Sequence, residues 1–248
     1  MTLLAVERIK LVSTRSPWWC AALAVAMPAG FATLFVGFSE PGAVTVASTQ
    51  FGFYFGMIVI MVMGALAVTT EYRFGTIRTT FQAVPNRVAV LAAKAAVVAL
   101  VAGAIGEIAA FASYWLARLI KPAADLTIDN GAEWRQVAGI GLVYAVAAVL
   151  AMAVGTLVRH TAAALAILLT YTLLVENVVV LIPEVGPDIQ RWMPFSAVNQ
   201  FATAGTPPPV DGQVLELPYG PWLGLAYVVG IALALLAIAI GVANRRDA

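Results

Sequence analysis

Residues 51–68 read FGFYFGMIVIMVMGALAV, and residues 69–78 read TTEYRFGTIR. The first run carries no charge, while the second gathers Glu71, Arg73 and Arg78. A second long apolar run, residues 88–118, follows almost at once. A helix needs about 20 mostly apolar residues to cross a hydrocarbon core about 30 Å thick. A short charged stretch between two such runs therefore belongs at a membrane surface, facing water. The fold class follows: an all-α polytopic membrane protein.

Composition agrees. Of 248 residues, 62% are hydrophobic and 11% charged, where a soluble domain carries about 25% charged residues. A water-soluble core of this size cannot hide so much apolar side chain. Net charge is +1 and the basic residues are scattered singly, which speaks against a nucleic-acid partner and leaves the lipid bilayer as the surroundings. The single cysteine, Cys20, has no internal disulfide partner.

Outward from residue 51, the chain reads as one transmembrane domain covering residues 1–248. Residues 1–16 are short and mixed, with Ala5, Ile9 and Val12 on one helical side and Glu7, Lys10 and Thr14 opposite. This predicts a helix lying in the headgroup region. Spans are expected over residues 17–38, 49–70, 88–118, 137–158, 161–182 and 221–242. The first opens on Trp18 and Trp19, suited to the aromatic belt, and is too long for the apolar part of a cleaved signal peptide. Gly52, Gly56 and Gly64 give the second a small-residue stripe for close helix packing. The third exceeds the bilayer thickness, implying tilt or protrusion, and its Lys94 is placed to snorkel to the interface. Residues 183–219 are rich in prolines yet keep Ile189, Trp192, Met193, Phe195 and Phe201. That apolar content predicts a re-entrant extracellular segment between spans five and six, since irregular backbone at membrane depth must be buried in protein or line a water-filled cavity.

With the N-terminus inside, Arg8, Lys10, Arg15, Arg73, Arg78, Arg87, Lys94, Arg159, Arg245 and Arg246 lie on the inner side. Arg118, Lys121, Arg135 and Arg191 lie outside. The positive-inside rule then puts both termini and the 71–87 loop in the cytoplasm. Eleven arginines against three lysines, with abundant Ala, Val and Gly, suggest a GC-rich bacterial genome. The expected location is a bacterial cytoplasmic (inner) membrane.

No phosphate-binding G-x-x-x-x-G-K-[ST] loop, zinc-binding H-E-x-x-H pair or G-x-S-x-G nucleophile turn occurs in the sequence, so no catalytic residue, metal site or bound cofactor is expected. In the 71–87 loop, Thr69 or Thr70 is expected to cap a short helix starting at Glu71. Phe74, Ile77 and Phe81 share one face by their spacing, and Arg73, Thr76 and Thr80 another. Gly75 removes bulk between the faces, Pro85 disfavours helix at Val84, and Arg87 marks re-entry into the membrane. A two-faced helix of this kind suits a groove on a soluble partner. Two carboxylates lie within spans. Glu107 falls midway along the third, on the side of Gly103, Ala110 and Tyr114; Glu176, beside Asn177, falls in the outer half of the fifth. Charge at mid-bilayer costs at least about 2.5–3.5 kcal/mol, so each either lines a polar path or dimer interface or hydrogen-bonds between helices, with Tyr114 or Tyr144 as acceptable partners. His160, beside Arg159 in a tight turn, reads as solvated.

The pattern Glu71, Tyr72, Arg73, Phe74, Gly75, Thr76, Ile77 and Arg78, then Phe81, Pro85, Arg87 and a lysine in the next span, resembles the first cytoplasmic loop of type-2 ABC exporter permeases. The six-span layout, the helix before the first span and the proline-broken segment before the last are similar to that family throughout the chain. The resemblance implies the transmembrane subunit of an ATP-driven exporter. Residues 71–87 would couple it to a separate ATP-binding subunit that holds ATP and Mg, and a second permease subunit would complete the translocation path. A path with few fixed charges leans towards hydrophobic or amphiphilic cargo such as a drug, lipid or peptide. Two other readings stay open: a proton-coupled secondary transporter using Glu107 and Glu176, and a non-transporting scaffold or sensor subunit.

Overall fold

The computed structural model describes residues 2–203 and 217–246, so the triple proline at 207–209, part of the expected re-entrant segment, lies outside the described residues. Six helices are long and apolar enough to cross a membrane, and no strand occurs among the described residues. The chain is a multi-pass membrane protein.

Helix α1 (Leu3–Ser13) starts where the Thr2 side chain accepts a hydrogen bond from the Ala5 amide, and it turns at Thr14, whose backbone is extended. Helix α2 (Arg15–Phe38) is the first span. Helix α3 (Phe53–Phe74) is the second and is followed by the short helix α4 (Thr76–Ala83). Helix α5 (Arg87–Ile120) is the third span, and its start is capped by Asn86, which accepts from the Ala89 amide at 3.0 Å. At 34 residues it measures about 51 Å at 1.5 Å per residue, beyond the bilayer core as its sequence suggests.

The expected fourth span, residues 137–158, divides into two helices. Helix α6 (Gly131–Ala138) begins at Asn130 with a capping box to Glu133, and α7 (Ile140–Val158) is the span proper. The tight turn at Arg159 (φ 58°) and His160 leads into α8 (Thr161–Thr170). There His160 is more than a solvated residue, because its Nδ1 accepts from the Ala163 amide at 3.3 Å and caps the helix. The fifth span does not stay regular: a π-helical turn (Tyr171–Val175) separates α8 from α9 (Glu176–Val179). Two short helices, α10 (Gly186–Gln190) and α11 (Pro194–Ala202), precede the last span, α12 (Pro221–Arg246).

Helices α3 and α7 form the centre of the bundle and are the most covered of the spans; α2, α12 and the α8–α9 span are the least covered. The glycine stripe on α3 explains the centre. A Cβ at Gly52 would stand 2.7 Å from the Pro28 backbone of α2, and one at Gly64 would stand 2.5 Å from the Ala148 carbonyl of α7. At Gly56 a Cβ would overlap the Tyr144 hydroxyl. With little hydrophobic drive between helices inside lipid, this close backbone approach is what joins them. Tyr144 is fully buried and donates to the Phe53 carbonyl at 2.9 Å, so its hydroxyl is satisfied against the first residue of α3.

Candidate functional site

Local backbone chemistry places the 71–87 residues differently from the spacing argument. Residues 71–74 are not the first turn of a new helix; they are the last turn of α3. Thr69 and Thr70 do not cap. Their hydroxyls donate one turn back, to the carbonyls of Ala65 (2.9 Å) and Leu66 (2.6 Å). The break falls at Gly75, whose φ of 72° is left-handed, a conformation open to glycine at no steric cost and typical of the position just past a helix end. Phe74 therefore does not share a face with Ile77 and Phe81, because it belongs to the preceding helix. Nor do Arg73 and Thr76 lie on one helix. Helix α4 ends at Val84, extended as the residue before Pro85 should be.

Two surfaces result. Ile77 is buried and Phe81 half-buried towards the bundle, with the Arg87 guanidinium 5.3 Å from the Phe81 ring centre. Arg87 also donates to the Ala243 and Asn244 carbonyls (3.1 and 3.3 Å), so its cation sits at the C-terminal end of α12, where the helix dipole favours positive charge. Arg73, Phe74, Gly75, Thr76, Arg78 and Thr79 all face outwards. The Phe74 side chain is 71% exposed, beneath the Arg73 guanidinium at 5.4 Å. Tyr72 is half-buried, with the Arg159 guanidinium 5.0 Å from its ring.

Glu71 is not on that outer surface. It belongs to a four-member charge network joining α1, α3 and α5. The Lys94 ammonium pairs with Glu7 and, at 2.8 Å, with Glu71 Oε1. The Lys10 ammonium pairs with Glu7 Oε1 at 2.8 Å and Glu71 Oε1 at 3.4 Å, and donates to Thr80 Oγ1 of α4 at 3.0 Å. Lys94 does not snorkel: it is 4% exposed and Glu7 3%. Charges so deeply desolvated persist only when paired and hydrogen-bonded, and each lysine here bridges both carboxylates. Burial of Lys10 opposes its charge, but the hydrogen bond it donates to Glu7 and the charges of Glu71 and Glu7 together outweigh that and hold the ammonium above its ordinary 10.5.

On α1 the side carrying Glu7 and Leu11 is the buried one, while Leu4, Ile9 and Val12 are exposed. Sequence reasoning missed Glu7 and Lys10 as members of the network. A signal existed: Lys94, two turns into a span, needs a counter-charge, and the acidic residues on its side of the membrane are few.

The intramembrane carboxylates separate. Glu176 is buried, and its Oε1 accepts from the Phe195 amide at 3.0 Å. It therefore caps the N-terminus of α11, where unsatisfied amides and the helix dipole favour an anion. The π-turn just before it is bonded through its backbone: Tyr54 donates to the Thr172 carbonyl at 2.8 Å. Asn177 does not join Glu176; it is exposed and donates back to the Leu173 carbonyl at 3.1 Å. Glu107 is half-buried over Gly141 of α7 and makes no hydrogen bond or ion pair to a described residue. The expected partners are engaged elsewhere, Tyr114 with the Leu126 carbonyl at 2.6 Å and Tyr144 with Phe53. Among the described residues no cluster of His, Cys, Asp or Glu is arranged to hold a metal.

Compared with known proteins, the sequence matches no family model, and no curated protein matches it.

Proposed function

We propose that this chain is the transmembrane subunit of an ATP-driven exporter of the type-2 ABC kind, moved by a separate ATP-binding subunit that docks on the segment from Arg73 to Thr79. The observation that carries the reading is the two-sided construction of that segment. Its outer side presents Arg73, Phe74 and Arg78 to solvent, while its root is fixed by Glu71 to Lys94 of α5, which pairs in turn with Glu7 of α1. A large exposed aromatic flanked by arginines is the composition of a binding hot spot rather than of an idle loop. A push on such a surface passes to the second and third spans as a rigid-body shift, because the joint beneath it is clamped.

In this reading α1 is an interfacial helix with Leu4, Ile9 and Val12 towards lipid, and the segment carrying α10 and α11 is re-entrant on the extracellular side, held by Glu176. Both termini are cytoplasmic in a bacterial inner membrane. The sparsely covered α2, α12 and α8–α9 faces supply the contact with a second permease subunit, and the cargo is hydrophobic or amphiphilic. The chain binds no nucleotide; ATP and Mg belong to the partner.

A tagged chain purified from its native membrane should bring down an ATPase with a phosphate-binding loop. Phe74→Ala with Arg78→Glu should reduce that recovery at least about tenfold, the effect of losing 1.4 kcal/mol at a hot spot, without lowering the melting temperature. Recovery unchanged in the double variant would sink the docking assignment. Glu107, unpaired among the described residues, favours a second reading, a proton-driven transporter. That reading predicts transport that survives ATP depletion and collapses with an uncoupler, and it must do without Glu176, whose carboxylate is committed to α11.

A further inference from the structure

Between the α1–α2 corner and the facing walls of α3 and α5 lies a cavity of about 660 Å³, within the 300–1,000 Å³ range of small-molecule sites. Its walls divide by polarity. Met63, Leu66, Ala67, Val97 and Val98 form the apolar part, on the span side; Thr14, Arg15 and Ser16 stand at the corner where the first span begins. From Glu71 to Met63 the α3 wall runs eight residues, about 12 Å at 1.5 Å per residue, most of the depth of one leaflet's hydrocarbon. The charge at the polar end is not balanced. Glu7, Lys10, Glu71 and Lys94 balance one another in charge, two carboxylates against two ammoniums, whereas Arg15 is exposed and forms no ion pair among the described residues. A site with an apolar pocket one leaflet deep and one surplus cation at headgroup level matches an amphiphile whose head is anionic.

We propose that this cavity is a binding site for one anionic phospholipid of the leaflet on which α1 lies, with the phosphate at Arg15 and an acyl chain against Leu66, Ala67 and Val97. The occupant wedges the α1–α2 corner against α3 and so bears directly on the charge network that roots the docking segment. The site depends only on the cavity and its charges, not on the exporter reading.

The test uses the full chain in detergent with phosphatidylglycerol, phosphatidylcholine of the same acyl chains, or inorganic phosphate, reading bound lipid by native mass spectrometry and stability by thermal unfolding. One phosphatidylglycerol should be retained per chain, at least about fivefold over phosphatidylcholine, as one surface cation supplies. Arg15→Gln, a change at an exposed position, should erase that preference, and Ala67→Phe, which fills the wall, should lower retention of both lipids. Inorganic phosphate should leave the melting temperature unmoved. Equal retention of the two lipids by the unaltered chain, or phosphatidylglycerol retention unmoved by Arg15→Gln, overturns the proposal. Stabilisation by phosphate alone overturns it as well, because the site then holds an anion and no chain. Loss of the ATPase partner in the earlier experiment would leave these outcomes unchanged, so the two proposals fail separately.

Discussion

The two ends of the bundle hold buried carboxylates in opposite ways. At the α1 end, Glu7 and Glu71 are locked by Lys10 and Lys94, charge against charge. At the far end Glu176 meets no cation among the described residues; it is held by the Phe195 amide at the start of α11. The first arrangement joins α1, α3 and α5 by paired charges, and α4 by the Lys10–Thr80 hydrogen bond, and leaves a charged surface outside it. The second fixes one short helix through its backbone. A joint made of paired charges transmits displacement among several helices and fails as a unit, whereas a cap sets the position of one element and fails locally.

The largest break should come from Lys94→Met. It leaves Glu7 and Glu71 with Lys10 alone, the more exposed of their two shared partners, and removing one member of a buried pair costs about 3–5 kcal/mol. Thermal unfolding in detergent should show it, and adding Glu7→Gln and Glu71→Gln should restore most of the loss. A Lys94→Met protein as stable as its parent would mean that the network carries no structural weight. At the other end, Glu176→Leu removes a helix cap and should cost about 0.5–2 kcal/mol. The change should appear as faster amide exchange confined to residues 194–202, and Glu176→Gln, which keeps an acceptor, should lie between. Exchange that quickens across the whole bundle would erase the contrast between the two ends.

Smaller effects sharpen it. Because the folded-state pKa of Lys10 is raised above 10.5, its contribution is complete below the unfolded value and is lost as pH climbs through the higher folded one. Lys10 is 31% exposed, so solvent screening holds the effect below about 1 kcal/mol. Unfolding followed above pH 10.5 should show a stability loss that Lys10→Gln lacks. The smallest change belongs to Glu107→Gln, expected within about 0.5 kcal/mol of the parent because no partner among the described residues is lost. A large loss there would reveal a partner supplied by another chain.

How legible all this was depends on the range of the interaction. The six spans follow from local apolar content, and their ends moved by only a few residues. The glycine stripe of the second span was readable too, since small residues at helical spacing have one obvious use in lipid. Gly75 was misread because spacing alone cannot tell a helix start from a helix end; only the left-handed φ decides it, and a glycine permits that silently. The charge network joins residues 87 positions apart, which no periodicity reports, although the unbalanced Lys94 was a clue. The π-turn at Tyr171–Val175 had no sequence signal, as it answers to Tyr54 on another helix.

The proposed docking of an ATPase on the surface from Arg73 to Thr79 can be tested directly by crosslinking. Cys20 is the one cysteine of the sequence and is buried, so a Cys20→Ala background lets a single thiol be placed. Arg78→Cys in that background, treated in native membranes with a short thiol-to-amine crosslinker, should yield one adduct with a phosphate-loop ATPase. Asp129→Cys, in the loop between α5 and α6, should yield none. No ATPase adduct at residue 78, or equal adducts at both positions, would contradict the account.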